Sequence, residues 1–280
     1  ASIWCQMFSD PEAGSDLANV ALKADQDGEE WVLRGQKTWT SRAMWADWAI
    51  CLARTDPDQP KHKGLTMFSL PIDTPGVEVR PLTQMNRDAH FSEVFVSDAR
   101  VLDSWRIGER GEGWRVAMTV LAHERAGGGS RGGGDGNARG VRVPGWISDL
   151  QALGVAEEQV WRDEVSKIYA HDSVSRWTSQ RAADEARSTG VPGPAGSGAK
   201  LRTVKSYKDR AYLTNRSGGS YGMLSEGPGY IETMTAPSMS IRGGTDEIQR
   251  NILGERVLGL PGEPRLDRDA PWRESRRGLL

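Results

Sequence analysis

The sequence predicts an α+β fold in which an antiparallel β-barrel or sandwich, residues 1–104, precedes an all-α helical bundle, residues 105–262. Up to Asp103 the apolar residues form short runs separated by turn sequences, which is typical of antiparallel strands rather than βαβ units. After Asp103 the apolar residues recur at intervals of three and four, as on one face of a helix. The charged, proline-containing residues 263–280 are expected to form a mobile tail.

The individual elements follow from these patterns in chain order. Asp27-Gly28 is a strong hairpin signal, and the predicted strands are 31–33, 38–41, 48–53, 65–70, 77–79 and 91–96. Helices are predicted over 114–121 and near 156–188, 198–225 and 244–257. Residues 190–198, with two prolines, are expected to connect two helices.

Composition excludes several classes of function. The 280 residues are 37% hydrophobic and 26% charged, which suffices for one large or two ordinary domains. The net charge of -2 is spread along the chain, so no nucleic-acid interface is expected. The apolar runs are far shorter than the ~20 residues of a membrane span, and we expect a cytoplasmic protein. The chain enters strand-like sequence directly after Ala1, as a fragment of a longer protein would.

The cysteines and histidines indicate no metal centre. Cys5 and Cys51 stand outside any CxxC or Cys/His cluster and are expected to be buried thiols. The four histidines are scattered without the spacing of zinc ligands. The glycine-rich stretch 127–134 has no Lys-Ser/Thr and follows no strand, so a flexible loop is favoured over a phosphate cradle.

Two polar motifs lie near the start of the chain. The loop Phe8–Asp16 contains small hydroxyls and a turn, and residues 35–41 have the pattern of an extended strand. Residues two apart on a strand share a face, so Trp39 and Ser41 would present an aromatic surface beside a hydroxyl. That pair suits a planar, hydrogen-bonding ligand such as an isoalloxazine ring. The alternative is an ordinary Gly-Ser turn and a core tryptophan.

In this order and spacing the two motifs resemble the flavin-binding core of the acyl-CoA dehydrogenase family. The resemblance implies bound FAD, an acyl-CoA substrate and an electron-transferring flavoprotein as acceptor. It also implies the roles of individual residues. The polar edge of the flavin would meet Phe8 and Ser9, its ring would stack beside Trp39, and its N5 region would accept from Ser41. The pantetheine arm of the substrate would meet Ser15.

A second motif, residues 242–250, resembles the helix start that contacts the flavin late in the family's sequences. A hydroxyl followed by early acids is typical of a helix N-terminus, whose free N–H groups suit an anion or a polar ring edge. The resemblance implies that this segment binds the cofactor through Gly243, Gly244, Thr245 and Glu247.

The position of the catalytic base follows from the same resemblance. Many members have a glutamate where this chain has Gly243, whereas a second group carries it on the first helix after the β-domain. Glu124 matches the second position, and we expect it to remove the substrate α-proton in a water-poor pocket that raises its pKa. Arg125 beside it is a candidate substrate contact. The alternative is that Glu124 is a surface residue paired with Arg125 or another neighbour.

Part of the family pattern is missing from this chain. It lacks the N-terminal helical domain, the Arg-x-x-Phe-Gly element and the Gln-x-x-Gly-Gly-x-Gly run. Residues 192–201 resemble an actinobacterial subgroup that lacks the two short elements as well, and some of its members act on sterol side chains as heteromeric complexes. Two hypotheses therefore stand: an FAD-dependent acyl-CoA dehydrogenase that forms homo- or hetero-oligomers, or a catalytically incomplete fragment or non-catalytic partner subunit.

Overall fold

The computed structural model describes residues 2–128, 144–190, 193–194, 196–264 and 267–275, without the side chains of 125–128 and 156. The chain divides into two units, Ala1–Val120 with Glu263–Leu280, and Leu121–Gly262. The division lies inside a helix, whereas composition places a boundary near residue 104. The domain limits therefore stay a prediction.

Eight strands form one sheet within the described part of the first unit. They are β1 Trp4–Met7, β2 Lys23–Asp27, β3 Glu30–Ser41, β4 Trp48–Arg54, β5 Leu65–Pro71, β6 Val77–Leu82, β7 Phe91–Leu102 and β8 Arg106–Ile107. The order across the sheet is β6-β7-β3-β2-β4-β5-β8, and β1 pairs with β4. Most pairings are antiparallel, but β1 and β2 each run parallel to β4.

The described helices are α1 Gly113–Gly128, α2 Gly145–Ala152, α3 Gln159–Thr189, α4 Gly196–Ser217, α5 Tyr230–Met239, α6 Asp246–Arg256 and the single turn α7 Trp272–Ser275. Strands followed by helices confirm the predicted fold class. Among these residues no helix is long and apolar enough to cross a membrane.

The longest strands differ from the sequence prediction. The two predicted strands 31–33 and 38–41 are one strand, β3, which has register shifts against β7 between Leu33 and Gly35 and between Lys37 and Thr40. Such β-bulges bend a strand and interrupt its alternation, so one strand gave two separate apolar runs. The hairpin signal is confirmed, because Asp27 pairs with Glu30 across a two-residue turn in which Gly28 has φ +65°.

Three helices depart from the prediction as well. The predicted helix 198–225 is too long, because α4 ends at Ser217 and Gly219 then takes φ +54°. The short helices α2 and α5 escaped sequence reasoning, and α5 carries Pro237 in its last turn. The connection after α3 is confirmed where it is described, since Gly190 ends that helix with φ +74°. Of the glycine-rich stretch, residues 129–134 lie outside the described residues.

The core of the first unit lies among the strands. Trp31 is 2% exposed, packs against Phe68 and donates its indole N–H to Asp103 Oδ1 at 2.7 Å. A second apolar cluster lies in the helical unit and consists of Leu150, Val155, Ile168 and Leu213. The segment 267–275 contacts the first unit through Trp272 and Asp267, although whether residues 263–280 are mobile stays a prediction.

Both cysteines are buried thiols, as the sequence predicts. Burial raises the pKa of Cys5 to about 12, and the neighbouring Cys51 adds to that rise. Burial also raises the pKa of Cys51 to about 11, although Lys37 opposes the shift. Since the thiolate is the reactive form, both groups should be inert in the folded chain.

We therefore expect neither thiol to react with an aromatic disulfide reagent at mildly alkaline pH in the native chain. Both should react in denaturing guanidinium chloride, which provides the control for reagent and thiol content. Titration of a thiol in a chain that keeps its native circular dichroism would contradict this expectation.

Candidate functional site

The loop Phe8–Asp16 is attached directly to β3. The Thr38 amide donates to Ser9 O at 2.9 Å, and Lys37 Nζ donates to Phe8 O at 2.7 Å. Phe8 is buried and Ser9 is half-buried. The two motifs of the sequence are therefore neighbours, and Ser9 lies beside the segment that carries Trp39.

A buried ion pair anchors this loop. Lys37 Nζ lies 2.7 Å from Asp10 Oδ1, and the two side chains are 0% and 6% exposed. The other carboxylate oxygen of Asp10 accepts the amides of Ala21 and Leu22. Sequence reasoning missed Lys37 as a residue of this region. The sequence offered no clear signal for this, because Lys37 stands in the polar stretch 35–41 of β3.

Trp39 lies on the outside of the strand and not in the core. Its side chain is 59% exposed, and its backbone φ is +57°. The alternative of a core tryptophan is therefore wrong. Thr40 is buried and Ser41 is exposed, so Trp39 and Ser41 are both open to solvent. A bulky residue at positive φ is uncommon, and such strain is concentrated at functional sites.

The indole of Trp39 is steadied by one ring contact. Its edge meets Phe91 at a centroid distance of 6.0 Å and an interplanar angle of 86°. Ser15, the predicted pantetheine contact, is exposed near the other end of the loop. The first unit thus brings Phe8, Ser9, Trp39 and Ser41 into one region and leaves Ser15 on the outer part of the loop.

In the helical unit, the predicted helix start is confirmed at α6. Thr245 is the N-cap, and its hydroxyl accepts the Ile248 amide at 3.2 Å. Gly243 and Gly244 precede it with φ of +66° and +82°, values that favour glycine. Within the described residues, the amides of Gly243, Gly244 and Thr245 make no hydrogen bond.

Gln249 supports this turn and was missed by sequence reasoning. It is 1% exposed and donates from Nε2 to Gly243 O at 3.0 Å. A Cβ at Gly244 would lie 2.5 Å from the same nitrogen, so a side chain there would displace the Gln249 amide from its present position. Gln249 Oε1 is buried without a partner among the described residues. The available signal was an amide on a helix position four residues after the cap.

A second shielded ion pair fixes the start of α6. Lys200 Nζ, on α4, lies 2.8 Å from Asp246 Oδ1, and Ser240 donates to Asp246 Oδ2 at 2.6 Å. Burial by itself would raise the pKa of Asp246, but the hydrogen bonds from Lys200 and Ser240 outweigh it and hold that pKa below its usual 3.8. Glu247, in contrast, is exposed and lies 3.5 Å from Arg250.

Glu124 lies in the last part of α1 whose side chains are described. It is exposed in this structure, which differs from the water-poor pocket expected from the sequence. Its role as the base stays a prediction. The side chain of Arg125 lies outside the described residues. Across the described ranges, no cluster of histidine, cysteine and acidic side chains is suited to a metal ion.

Comparison with known families decides the classification. Residues 5–99 match the acyl-CoA dehydrogenase middle domain, and residues 111–258 match the acyl-CoA dehydrogenase C-terminal domain. The chain belongs to the acyl-CoA dehydrogenase family.

Two mycobacterial proteins illustrate the relationship. Acyl-CoA dehydrogenase FadE34 of Mycobacterium tuberculosis (strain ATCC 25618 / H37Rv) is 39% identical over 92% of this chain and 35% of its own length. Acyl-CoA dehydrogenase IpdE1 of the same strain is 36% identical over 93% of this chain and 68% of its own length. The chain therefore spans about a third of one relative and about two thirds of the other.

Solved structures give the same classification. The Tcur3481-Tcur3483 steroid ACAD matches with a TM-score of 0.80 and 26% identity, over 93% of this chain and 68% of that one. The ChsE4-ChsE5 complex from Mycobacterium tuberculosis matches with a TM-score of 0.77 and 25% identity, over 93% of this chain and 70% of that one. The name of each of these two structures contains two proteins, Tcur3481 with Tcur3483 and ChsE4 with ChsE5.

The family implies a flavin cofactor, and the described residues fit such a group. In the first unit, an exposed indole and an exposed hydroxyl at Trp39 and Ser41 suit a planar ring with a polar edge. In the second unit, the unbonded amides of Gly243, Gly244 and Thr245 suit a hydrogen-bond acceptor on a ligand.

Breaking the ion pair of Lys37 and Asp10 should destabilise the fold far more than breaking a surface pair does. Replacing one partner strands a buried charge, so Lys37→Met and Asp10→Asn should each lower the free energy of unfolding by about 3–5 kcal/mol. The double variant should lose less than the sum, because no unpaired charge remains. The free energy of unfolding of the two single variants and the double variant is measured by urea denaturation, with circular dichroism as the signal.

The pair of Lys23 and Asp25 provides the matched control. It has the same residue types at 2.8 Å, but its side chains are 58% and 43% exposed. Lys23→Met should therefore cost only about 0–1 kcal/mol. If Lys23→Met and Lys37→Met lowered the free energy of unfolding equally, burial of the Lys37–Asp10 pair would have no effect on stability.

Asp246 should make stability depend on pH in acid. Because its folded pKa lies below 3.8, its contribution is complete above that value and is lost as pH falls through the lower folded pKa. The stability difference between wild type and Lys200→Met should thus be constant near neutral pH and shrink below about pH 4. Urea unfolding across this pH range tests this expectation. Lys167→Met, which breaks an exposed ion pair on α3, is the control. A difference that persists in acid would contradict the assignment.

Proposed function

We propose that this chain is the middle and C-terminal part of an FAD-dependent acyl-CoA dehydrogenase, which desaturates an acyl-CoA thioester between its α and β carbons. The observation that carries the proposal is the exposed pair Trp39 and Ser41, held beside the Phe8–Asp16 loop in a chain of this family. Bound FAD supplies the acceptor for the hydride that leaves the β carbon.

The residues of the first unit would orient the flavin and the thioester. Phe8 and Ser9 meet the polar edge of the flavin, and Trp39 covers a face of its ring and excludes water from it. Ser41 donates a hydrogen bond near N5, where its exposed hydroxyl suits the role. Ser15 contacts the pantetheine arm of the substrate.

The residues of the helical unit have roles of their own in this proposal. The amides of Gly243, Gly244 and Thr245 bind polar atoms of cofactor or substrate, and Glu247 lies beside them on the first turn of α6. Glu124 takes the α-proton, since the alternative position for the base is a glycine, and Arg125 contacts the substrate. The backbone amide of Gly243 would stabilise the negative charge that develops on the thioester oxygen.

The substrate and partners follow from the relatives. A sterol-derived acyl-CoA is the first thioester to test, because one of the similar solved structures is that of a steroid ACAD. An electron-transferring flavoprotein would reoxidise the cofactor. The cytoplasm suits a chain with two free thiols.

A second candidate is a catalytically incomplete fragment or a non-catalytic partner subunit. It is favoured by the share of FadE34 and IpdE1 that the chain spans and by the two-protein assemblies among the similar structures. The visible spectrum of the purified chain separates the candidates. Bound yellow flavin that bleaches with acyl-CoA supports the dehydrogenase, whereas a colourless chain supports the second candidate.

Replacement of Glu124 tests the assignment of the base. Glu124→Gln should lower the rate of flavin reduction by acyl-CoA by about 100- to 10,000-fold, because general-base catalysis contributes that much. The flavin content should not change, and stopped-flow absorbance measures the rate. Glu112→Gln, which alters an acid in a surface pair with Arg115, is the control and should be without effect. Reduction of Glu124→Gln at the wild-type rate would contradict the assignment.

A further inference from the structure

The segment 267–275 is bound through its backbone to the strand-containing part of the first unit, Ala1–Val120. The Trp272 amide donates to Gln59 O at 3.0 Å, and the Arg273 amide donates to Pro57 O at 3.1 Å. Pro271 forms an isolated bridge with Pro60. This segment therefore lies along residues 57–60, the turn that follows β4.

The side chain of Trp272 reaches the turn that follows the Phe8–Asp16 loop. Its indole N–H donates to Asn19 Oδ1 at 2.7 Å. Asn19 is the last residue of the 3-10 turn Leu17–Asn19, which begins directly after Asp16. A hydrogen bond between residues 253 positions apart thus joins the segment to the loop that carries Ser15.

Arg54 lies beneath both partners of this contact. It is 2% exposed, and its guanidinium donates to Ala18 O and Val20 O on either side of Asn19. The Trp272 ring lies against the same guanidinium, 4.6 Å from Arg54 Cζ to the ring centroid. Cation–π attraction is strongest where the cation is shielded from water, as this one is.

Lys61 makes a second link between the segment and the loop. Its Nζ lies 3.1 Å from Asp16 Oδ2 and 2.7 Å from Asp267 Oδ2. The Lys61 side chain is 13% exposed, whereas Asp16 and Asp267 are 52% and 34% exposed, so the bridge is shielded at its lysine end only. Asp16 is the last residue of the loop, next to Ser15.

The outer part of the loop has little support of its own. Gly14 and Ser15 are exposed, and a Cβ at Gly14 would meet nothing within 4 Å. The inner end is fixed by Asp10 and Lys37. Arg54 holds the chain beyond the loop at Ala18 O and Val20 O, and the contacts of Trp272 with Asn19 and of Lys61 with Asp16 restrain the residues between that anchor and Ser15.

We propose that the segment 267–275 is a positioning element for the Phe8–Asp16 loop, and that Trp272 holds Leu17–Asn19 so that Ser15 meets the pantetheine arm of coenzyme A. This inference rests on the proposed function, which assigns that role to Ser15. Trp272 and Asp267 act through Asn19 and Asp16 and do not touch the substrate.

Three variants and a control test the proposal in the full 280-residue chain. Trp272→Phe keeps an aromatic ring over Arg54 and removes the indole N–H, Asn19→Ala removes the acceptor, and the double variant removes both. Glu274→Gln changes an exposed side chain of the same helical turn and is the matched control. The readouts are amide hydrogen exchange, the affinity for coenzyme A itself by calorimetry, and the melting temperature.

We expect exchange of the amides of residues 16–22 to accelerate by about tenfold in each single variant, the amount expected for loss of one good hydrogen bond. Exchange in the central strands and the flavin content should stay unchanged. Affinity for coenzyme A should fall by about three- to tenfold. The double variant should resemble either single variant, because one bond is lost in all three.

Exchange of residues 16–22 that does not change in Trp272→Phe would overturn the proposal. So would faster exchange with unchanged affinity for coenzyme A, since the contact would then be structural only. An unaltered chain that does not bind coenzyme A would contradict the proposed function itself, a result distinct from both. A fourth variant, Trp272→Ala, also removes the ring over Arg54 and should change every readout more than Trp272→Phe does. The reverse order would count against the proposal.

Discussion

The ion pair between Lys37 and Asp10 is the constraint on which the rest of the first unit depends. Neither charge reaches water, so each requires the other, together with Phe8 O and the amides of Ala21 and Leu22. These bonds hold the Phe8–Asp16 loop against β3. The register shift of β3 begins directly after Lys37, and Trp39 takes its positive φ and its exposed position there.

An ion pair shielded from water also supports the start of α6 in the helical unit. Lys200 and Asp246 form a shielded pair that fixes the first turn of the helix, while Gln249 fills the space behind Gly244. In both units a charged or amide side chain, protected from water, supports a short segment whose own contacts are few. The amides and rings of such segments stay available to a ligand, because the segments are held in place by buried side chains that use other atoms.

Local patterns predicted much of the fold but little of what supports the site. The hairpin at Asp27-Gly28 and the Thr245 cap are encoded by neighbouring residues and were predicted correctly. The register shifts in β3 depend on its pairing with β7, so the sequence predicted two strands where the structure has one. Trp39 alone did not indicate whether it lay in the core, since a tryptophan suits either environment, and only its surroundings placed it outside.

The sequence by itself determined the class of fold, the order of the two kinds of domain, the helix start at Thr245 and the family. Periodicity, turn residues and motifs are properties of neighbouring positions, so they can be interpreted without knowing what lies opposite. Only the tertiary structure decided that Lys37 pairs with Asp10, that Gln249 supports Gly244, and that Trp272 reaches Asn19. Burial and pairing depend on residues that lie far apart in the chain. An unpaired buried charge is costly, but which partner can neutralise it is decided only when the folded backbone brings the two side chains together.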